Sequence, residues 1–365
     1  MIRSCYIHIP FCKNICSYCD FCKLFYNTGY VSSYLETLKN EILEFYQGEV
    51  LDTLYIGGGT PSSLSTLELE KLFSILSVFK KSSSCEVTME ANFDSITEEK
   101  IDLFKKYGIN RISFGLETIH DWILKKMNRT LDLEYIRHII SYCKRVGITN
   151  INVDLMYAFP GETLKELEED IDFILSLDVS HVSTYSLILE EHTKLYLDNV
   201  KSITEELDAE MYEVICSKLS DFNHYEISNF AKDGYCSRHN LCYWKNNCYY
   251  GFGLGASGYL RDVRYSNTRS ITHYLQRKYR YEEEKLSIYD KMEYEVILNL
   301  RTKFGISKEQ FFTRYHKQLV DVYDYSKLVL DGYLVETENS IFIPSNYWYL
   351  SNEIIVRLLE ECSYE

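Results

Sequence analysis

The sequence predicts an α/β fold built around an open, partial barrel of six strand–helix units. Six short apolar runs, each suited to a buried strand, alternate with amphipathic helical stretches in the first half of the chain. Such alternation produces parallel strands joined by right-handed crossovers. A closed barrel of this type has eight units, so six predict an open one. Functional residues are then expected at the carboxyl ends of the strands.

The first 200 residues contain this barrel. The predicted strands span residues 5–9, 53–56, 86–90, 111–114, 150–155 and 181–187. The helices between them span residues 31–46, 67–79, 97–107, 133–146 and 164–175. We therefore assign residues 1–200 to a first, barrel domain.

The pattern changes beyond residue 200. A helical stretch at 204–219 leads into a segment rich in aromatic residues, glycine and asparagine at 225–265. Helices and two short strands follow, at 292–303, 308–315, 325–331, 334–336, 341–343 and 351–360. We predict an α+β extension over residues 201–285 and a winged-helix-like domain over residues 286–365. Related helix-turn-helix domains often bind DNA, but the many acidic residues favour a packing or partner surface here.

The charge balance excludes several classes of function. Lysine and arginine number 39 and aspartate and glutamate 54, which gives a net charge of −15. Nucleic-acid phosphates need a cationic surface, so we expect no nucleic-acid partner. No apolar stretch approaches the roughly 18 residues of a transmembrane helix. The first apolar run is broken by His8 and Pro10 and lacks a small-residue cleavage site, so the sequence predicts a cytoplasmic protein.

Four of the twelve cysteines fall within eleven residues. Cys12, Cys16 and Cys19 follow a predicted strand with the spacing C-x3-C-x2-C. Three thiolates can hold three irons of a 4Fe-4S cluster and leave the fourth iron open for an outside ligand. A structural zinc knuckle that also uses Cys22 is the alternative, although zinc sites usually pair two knuckles and the sequence has one. The spacing favours the cluster, and a zinc-stabilised binding module is the distant alternative.

Glycines and acidic residues mark the ends of other predicted strands. Residues 57–61, GGGTP, follow the second strand, where glycines let the backbone approach a ligand or simply form a tight turn. Glu90, Glu117 and Asp154 lie at or near the ends of three further strands. Since parallel strands end at one rim, these carboxylates are expected to face a common site. They suit ribose hydroxyls or a ligand ammonium group, whereas capping or solvated side chains are the alternative.

A family resemblance sharpens this interpretation. Residues 6–21, YIHIPFCKNICSYCDF, resemble the opening of the radical-SAM proteins related to oxygen-independent coproporphyrinogen oxidase. In that family the open iron of a 4Fe-4S cluster binds S-adenosylmethionine (SAM), and reduction cleaves SAM to a 5′-deoxyadenosyl radical. The resemblance therefore implies a radical-SAM barrel with Cys12, Cys16 and Cys19 as metal ligands, and both cofactors. It extends over most of the chain.

The same resemblance implies a set of cofactor-binding residues. MEANF, which contains Glu90, is similar to the family's EANP, and VDLMYAFPGET, which contains Asp154, is similar to DLIYGLPGQT. Glu117 stands where relatives usually have glutamine, and Phe93 replaces proline. The implied residues are Tyr6, Tyr18, Gly58, Gly59, Thr60, Glu90, Glu117, Arg129, Asp154 and Ser186.

Two functions occur on this scaffold. The dehydrogenases convert two propionates of coproporphyrinogen III to vinyl groups, whereas the HemW-type haem chaperones bind haem and deliver it to haem proteins. Only 11 residues precede Cys12, Phe21 stands where the dehydrogenases have a further cysteine, and residues 237–244, SRHNLCYW, resemble the chaperones' HNxxYW motif. These features favour the chaperone, with the dehydrogenase as the alternative if the protein is an enzyme.

The chaperone interpretation implies haem as a third cofactor. His239 is the expected iron ligand, since a neutral imidazole binds haem iron, although a satisfied structural histidine is the alternative. The expected partners are haem or a porphyrin and recipient haem proteins, some of them membrane-associated. A homodimer is left open.

Overall fold

The computed structural model describes residues 2–362, so Met1 and residues 363–365, at the ends of the predicted first and third domains, lie outside it. The described strands are β1 Ser4–Ile9, β2 Phe11–Cys12, β3 Leu24–Phe25, β4 Val50–Gly58, β5 Lys80–Asn92, β6 Arg111–Glu117, β7 Asn150–Tyr157, β8 His181–Ser186, β9 Asn223–Glu226, β10 Asn229–Ala231, β11 Tyr250–Phe252, β12 Ser257–Leu260, β13 Val263–Asn267, β14 Arg280–Lys285, β15 Ile306–Ser307, β16 Val335–Glu336 and β17 Ser340–Phe342.

Helices cover the sheet and build the C-terminal part. The α-helices are α1 Thr28–Phe45, α2 Thr66–Leu76, α3 Glu98–Lys106, α4 Asp121–Lys126, α5 Leu133–Arg145, α6 Leu164–Ser176, α7 Lys194–Leu197, α8 Glu205–Lys218, α9 Arg238–Trp244, α10 Ile271–Leu275, α11 Ile288–Asn299, α12 Lys308–Tyr315, α13 Leu319–Val322, α14 Ser326–Leu330 and α15 Ser351–Glu360. Within residues 2–362, two 3₁₀ helices lie at Pro61–Ser63 and Ser345–Leu350.

The main sheet confirms the predicted open barrel. Its nine strands run in the order β11-β1-β4-β5-β6-β7-β8-β10-β9. The six predicted strands, β1 and β4 to β8, are parallel neighbours in chain order. Strand order follows chain order because each crossover helix returns the chain beside the previous strand. The two ends of the sheet, β11 and β9, do not pair with each other.

The predicted extension, residues 201–285, adds three strands to the main sheet that were not predicted from the sequence. β11 pairs in parallel with β1, with Tyr250 beside Cys5. β10 pairs antiparallel with β8, and β9 with β10. These strands are three or four residues long, too short for a periodic signal. The segment predicted as a separate extension is thus hydrogen-bonded into the barrel sheet.

Alternation along the strands separates two faces of the barrel wall. On β7, Ile151, Val153 and Leu155 are buried in the main hydrophobic core, which the surrounding helices share. The residues between them, Asn152 and Asp154, are polar and hydrogen-bond to each other at 2.8 Å. Because successive side chains on a strand point to opposite faces, the polar pair lies inside the barrel. The barrel interior is therefore polar, and the residues near strand ends line its mouth.

A capping box defines the start of one of the barrel helices. α6 begins at a capping box in which the Thr163 and Glu166 side chains bind each other's backbone N–H groups.

Residues from Met292 to Leu358 form a hydrophobic cluster separate from the main core. There the predicted hairpin is present as β16 and β17. No helix within residues 2–362 is long and apolar enough to cross a membrane.

Candidate functional site

The cysteine motif lies in the loop between two short paired strands. Cys12 ends β2, which pairs with β3, and Cys16 and Cys19 lie in the loop that joins them. Ser17 anchors this loop: its N–H donates to the Met127 carbonyl at 3.2 Å, and its own carbonyl accepts from Leu195 N at 3.1 Å. All three thiols are free. Among residues 2–362, no three His, Cys, Asp or Glu side chains stand close enough together to hold a metal ion, so the thiols do not meet at one point in this structure.

The thiol of Cys12 is buried and those of Cys16 and Cys19 are half-buried, near groups that oppose the effect of burial on their pKa values. Burial raises the pKa of Cys12 to about 11, and a hydrogen bond from Thr60 opposes this rise. Burial also raises the pKa of Cys16 to about 11, against the charge of Arg129. Burial likewise raises the pKa of Cys19, and the charge of Lys23 opposes that rise. Each thiol is thus acted on by a donor or a cation that opposes the rise in its pKa, and at Cys16 the carboxylate of Glu117 adds to that rise.

The glycine loop packs directly against the cysteine loop. Gly59 N–H donates to the Ile9 carbonyl at 2.9 Å, and Thr60 Oγ1 donates to Cys12 Sγ at 3.6 Å. A Cβ on Gly59 would lie 2.7 Å from the Pro10 carbonyl and 2.9 Å from Cys12 Sγ. The close approach of the two loops therefore requires glycine at this position.

Glu90 is held at the inner side of the glycine loop. Its carboxylate accepts from Tyr55 OH at 2.7 Å and from Gly58 N–H at 2.9 Å. Gly58 has a φ of 121°, a conformation that glycine adopts without strain. Burial raises the pKa of Glu90, and these two hydrogen bonds oppose the rise.

Glu117 forms a buried ion pair with Arg129. Arg129 Nη1 donates to Glu117 Oε1 at 2.6 Å and Nη2 donates to the Gly115 carbonyl at 2.8 Å. Tyr18, from the cysteine loop, donates to the same carboxylate oxygen at 3.2 Å. Burial raises the pKa of Glu117, and Arg129 opposes that rise. Through Tyr18, this pair ties the cysteine loop to the end of β6.

Asp154 completes a group of three acidic side chains. Burial, and then the carboxylates of Glu117 and Glu90, raise the pKa of Asp154 to about 7. Asn152 and the buried guanidinium of Arg111 oppose this shift. The mouth of the barrel therefore brings together carboxyl groups from three strands.

Tyr6 and Ser186 differ in their placement. Tyr6 OH pairs with His8 Nδ1 at 2.9 Å inside the barrel. Burial, and to a smaller extent the Glu90 carboxylate, raise the pKa of Tyr6. Ser186 instead donates to Asp208 at 2.5 Å beside a cavity of about 350 Å³ that Tyr349 also lines. Ser186, one of the ten residues expected at the cofactor site, is therefore hydrogen-bonded to α8 through its hydroxyl.

His239 lies at the opposite end of the barrel from the mouth. Its Nδ1 pairs with Thr53 Oγ1 at 2.8 Å and its Nε2 with Tyr243 OH at 2.7 Å. The residue is 1% exposed. Both ring nitrogens are engaged by protein hydroxyls, so in this structure neither is open to a haem iron. This placement agrees with the structural alternative for His239 rather than with the expected ligand.

Apolar side chains project from the segments around the mouth. Phe21 lies in the cysteine loop, Phe25 ends β3, Ile188 follows β8, and Leu197 ends α7, which contacts the cysteine loop through Leu195. These four side chains are between 66% and 70% exposed. We call them the apolar rim.

Known proteins with similar sequences decide the family. Residues 6–174 match the radical SAM superfamily. The heme chaperone HemW of Bacillus subtilis is 37% identical over 378 residues, covering 99% of this chain and 100% of that protein. The heme chaperone HemW of Lactococcus lactis is 37% identical over 369 residues, covering 98% of this chain and 97% of its own. The chain belongs to the HemW family. A third member, from Escherichia coli, is 28% identical over 95% of this chain and 94% of its own.

A solved structure supports the HemW-family fold. Coproporphyrinogen III oxidase (HemN) from Escherichia coli, described as a radical SAM enzyme, aligns with a TM-score of 0.85 at 19% identity. The alignment covers 97% of this chain and 89% of that one. This likeness confirms the radical-SAM α/β fold and says nothing of substrate.

Several residues that shape the site of this HemW-family chain are not predicted from the sequence. Tyr55 holds Glu90, Asn152 holds Asp154, and Asn92 donates to Thr60 at 3.2 Å. One signal was available: Asn152 lies two positions before Asp154 on the same strand, and alternation puts both on one face. Tyr55 and Arg111 act across strands, so only the sheet register places them beside the carboxylates.

Proposed function

We propose that this chain is a haem chaperone that binds a 4Fe-4S cluster, SAM and haem, and passes haem to recipient haem proteins. The observation that carries the proposal is the similarity along the whole chain: 37% identity over 99% of it to a protein named heme chaperone HemW. The recipients, including membrane-associated ones, are part of the proposal.

The cysteine loop is suited to the cluster. Cys12, Cys16 and Cys19 would hold three irons, because they are free thiols at the start of and within one short loop, each acted on by a donor or a cation that favours its anion. The tight contact between Gly59 and Cys12 would fix the first ligand against the glycine loop. Cys22, whose carbonyl accepts from His8 at 2.7 Å, lies outside this ligand set.

The mouth is suited to SAM. Glu90, Glu117 and Asp154 bring three carboxyl groups together, and repulsion from Glu117 and Glu90 adds to the burial that raises the pKa of Asp154. A ligand that carries a sulfonium and an ammonium group would relieve this repulsion. Gly58, Gly59, Thr60, Arg129 and Ser186 would complete the pocket, with Tyr6 and Tyr18 behind it. When bound, the cluster supplies an electron and an open iron position to SAM.

The apolar rim is suited to a porphyrin face. Exposed aromatic and aliphatic side chains stabilise flat apolar ligands by burial. Phe21 and Ile188 belong to segments on two sides of the mouth, so a porphyrin there would contact both. The coproporphyrinogen dehydrogenase alternative shares the fold, and a fold alone does not assign a substrate.

Haem titration of the anaerobically reconstituted protein tests the proposal. We expect a Soret band that saturates, and a Phe21→Ser/Ile188→Ser variant whose haem affinity falls roughly tenfold, since two apolar contacts are lost. Leu330→Ser is the matched control, because Leu330 is 86% exposed on α14, outside the rim. Wild-type protein with an intact cluster that binds no haem would contradict the proposal, and equal losses in both variants would remove the rim from it.

A further inference from the structure

The floor of the barrel is closed by α9, the helix that carries the HNxxYW motif. His239 reaches into the barrel from this helix, and its ring stacks on Tyr55 with centroids 5.0 Å apart and an interplanar angle of 27°. The hydroxyls of Thr53 and Tyr243 bind its two nitrogens. The ring is thus fixed in position and in rotation.

Tyr55 connects this ring to the mouth. Its hydroxyl donates to Glu90 at 2.7 Å, while its ring lies against His239. An aromatic side chain has two rotatable bonds, so packing on one face largely determines where its hydroxyl points. The stacked imidazole therefore determines the position of the group that holds the Glu90 carboxylate.

A second chain of hydrogen bonds runs from the same helix to Asp154. Ser237, the N-cap of α9, donates its N–H to Tyr225 OH at 3.2 Å, and that hydroxyl pairs with His181 Nε2 at 2.8 Å. His181 Nδ1 pairs with Asn152 Oδ1 at 2.6 Å, and Asn152 donates to Asp154. Two of the three mouth carboxylates are therefore supported from α9.

We infer that His239 is a positioning residue for the SAM site, acting through Tyr55 on Glu90, and that it does not ligate haem iron. The inference rests on the proposed placement of SAM beside Glu90. An iron ligand needs a nitrogen lone pair that faces a ligand-accessible space. His239 instead uses its acceptor nitrogen on a buried hydroxyl at the floor.

The protonation state of His239 agrees with this role. Burial lowers its pKa to about 3, so the ring is neutral and presents one donor and one acceptor. A hydroxyl can serve either nitrogen, which makes Thr53 and Tyr243 complementary partners for a neutral imidazole.

Two titrations of the cluster-loaded protein test the inference. SAM binding is followed through the change in the electron paramagnetic resonance spectrum of the reduced cluster, and haem binding through the Soret band. Tyr55→Phe keeps the ring and removes one hydrogen bond to a carboxylate, so SAM affinity should fall roughly tenfold. His239→Ala should weaken SAM binding to a similar extent and leave haem affinity unchanged.

The double variant shows whether the two residues act together. Since His239 acts through Tyr55, the double variant should bind SAM about as weakly as either single variant. Tyr142→Phe, which removes an exposed hydroxyl bound to Asp102, is the matched control and should bind SAM like the wild type.

Each contrary result has a distinct meaning. Wild-type protein with an intact cluster that binds no SAM would end the proposed function and this inference with it. Wild-type binding with no change in Tyr55→Phe, or additive losses in the double variant, would overturn the inference alone. Loss of the Soret band in His239→Ala with SAM affinity intact would make His239 the iron ligand and also overturn it. Tyr55→Phe keeps the test valid if His239→Ala fails to fold.

Discussion

The mouth and the floor of the barrel are both lined by polar side chains, but they differ in how their charges and hydrogen bonds are balanced. At the floor, both nitrogens of His239 and both of His181 are engaged by neutral protein groups. At the mouth, burial and then the neighbouring carboxylates of Glu117 and Glu90 raise the pKa of Asp154. We therefore interpret the carboxyl-rich mouth as a ligand site and the floor around His239 and His181, whose ring nitrogens all have protein partners, as a structural closure.

The largest effect is expected for the cluster content when a cysteine of the loop beside the mouth is replaced. Cys16→Ser should leave the anaerobically reconstituted protein with almost no cluster iron or sulfide, because two thiolates cannot hold the cube. Cys22→Ser changes the same atom in the same loop and should keep the full content. Iron and sulfide analysis checks both variants, and equal loss in the two would show that Cys22 is a ligand.

Arg129→Met tests the charge balance at the mouth. The change leaves the Glu117 carboxylate buried without its cation, so the free energy of unfolding should fall by about 3 kcal/mol. Lys165→Met removes a cation from an exposed pair with Glu169 and should cost less than about 0.5 kcal/mol. Urea denaturation of the metal-free proteins measures both. Similar losses of unfolding free energy in the two variants would mean that the Arg129–Glu117 pair stabilises the fold no more than an exposed ion pair does.

Glu226, beside Tyr225 near the floor, is a buried carboxylate outside the mouth. Burial raises its pKa to about 8, so the folded state holds a proton that the unfolded state loses above pH 4.5. Its contribution to stability is thus complete at low pH and declines as the pH rises towards 8, by about 1.4 kcal/mol per pH unit.

Glu226→Gln should remove this part of the pH dependence. Between pH 6 and pH 7 the free energy of unfolding of the wild type should fall relative to that of the variant by about 1 kcal/mol. Denaturation curves at the two pH values give the difference. A constant gap between the two proteins would contradict the raised pKa.

The last comparison concerns the floor. Tyr243→Phe removes the hydroxyl at His239 Nε2, which should lower the free energy of unfolding by about 1 kcal/mol and leave the cluster content unchanged. Urea denaturation and iron analysis together check this. A loss of iron without a loss of stability would reverse the roles that we assign to floor and mouth.

The sequence predicted the mouth far better than the floor, for a physical reason. Strand alternation and the convergence of parallel strand ends place Glu90, Glu117 and Asp154 together from local patterns alone. The floor depends on contacts between distant residues, such as His239 with Thr53 and Tyr250 with Cys5. The motif around His239 predicted a functional residue. The surroundings of His239 depend on two elements that the sequence did not predict, strand β11 beside β1 and helix α9 against β4.

The predicted domain boundaries at residues 200 and 285 stay predictions. The helices of the barrel lie close to their predicted bounds, with α5 beginning at Leu133 and α6 at Leu164 as expected. Helix-period signals were strong there because each helix buries one apolar face.

The most direct test of the account is an anaerobic incubation of the reconstituted protein with coproporphyrinogen III, SAM and a low-potential reductant, with the porphyrins read by mass spectrometry. A haem chaperone should return the substrate with all its carboxyl groups while the cluster stays intact and haem still binds. Loss of two carboxyl groups per molecule would make the protein a coproporphyrinogen dehydrogenase and contradict the proposed function.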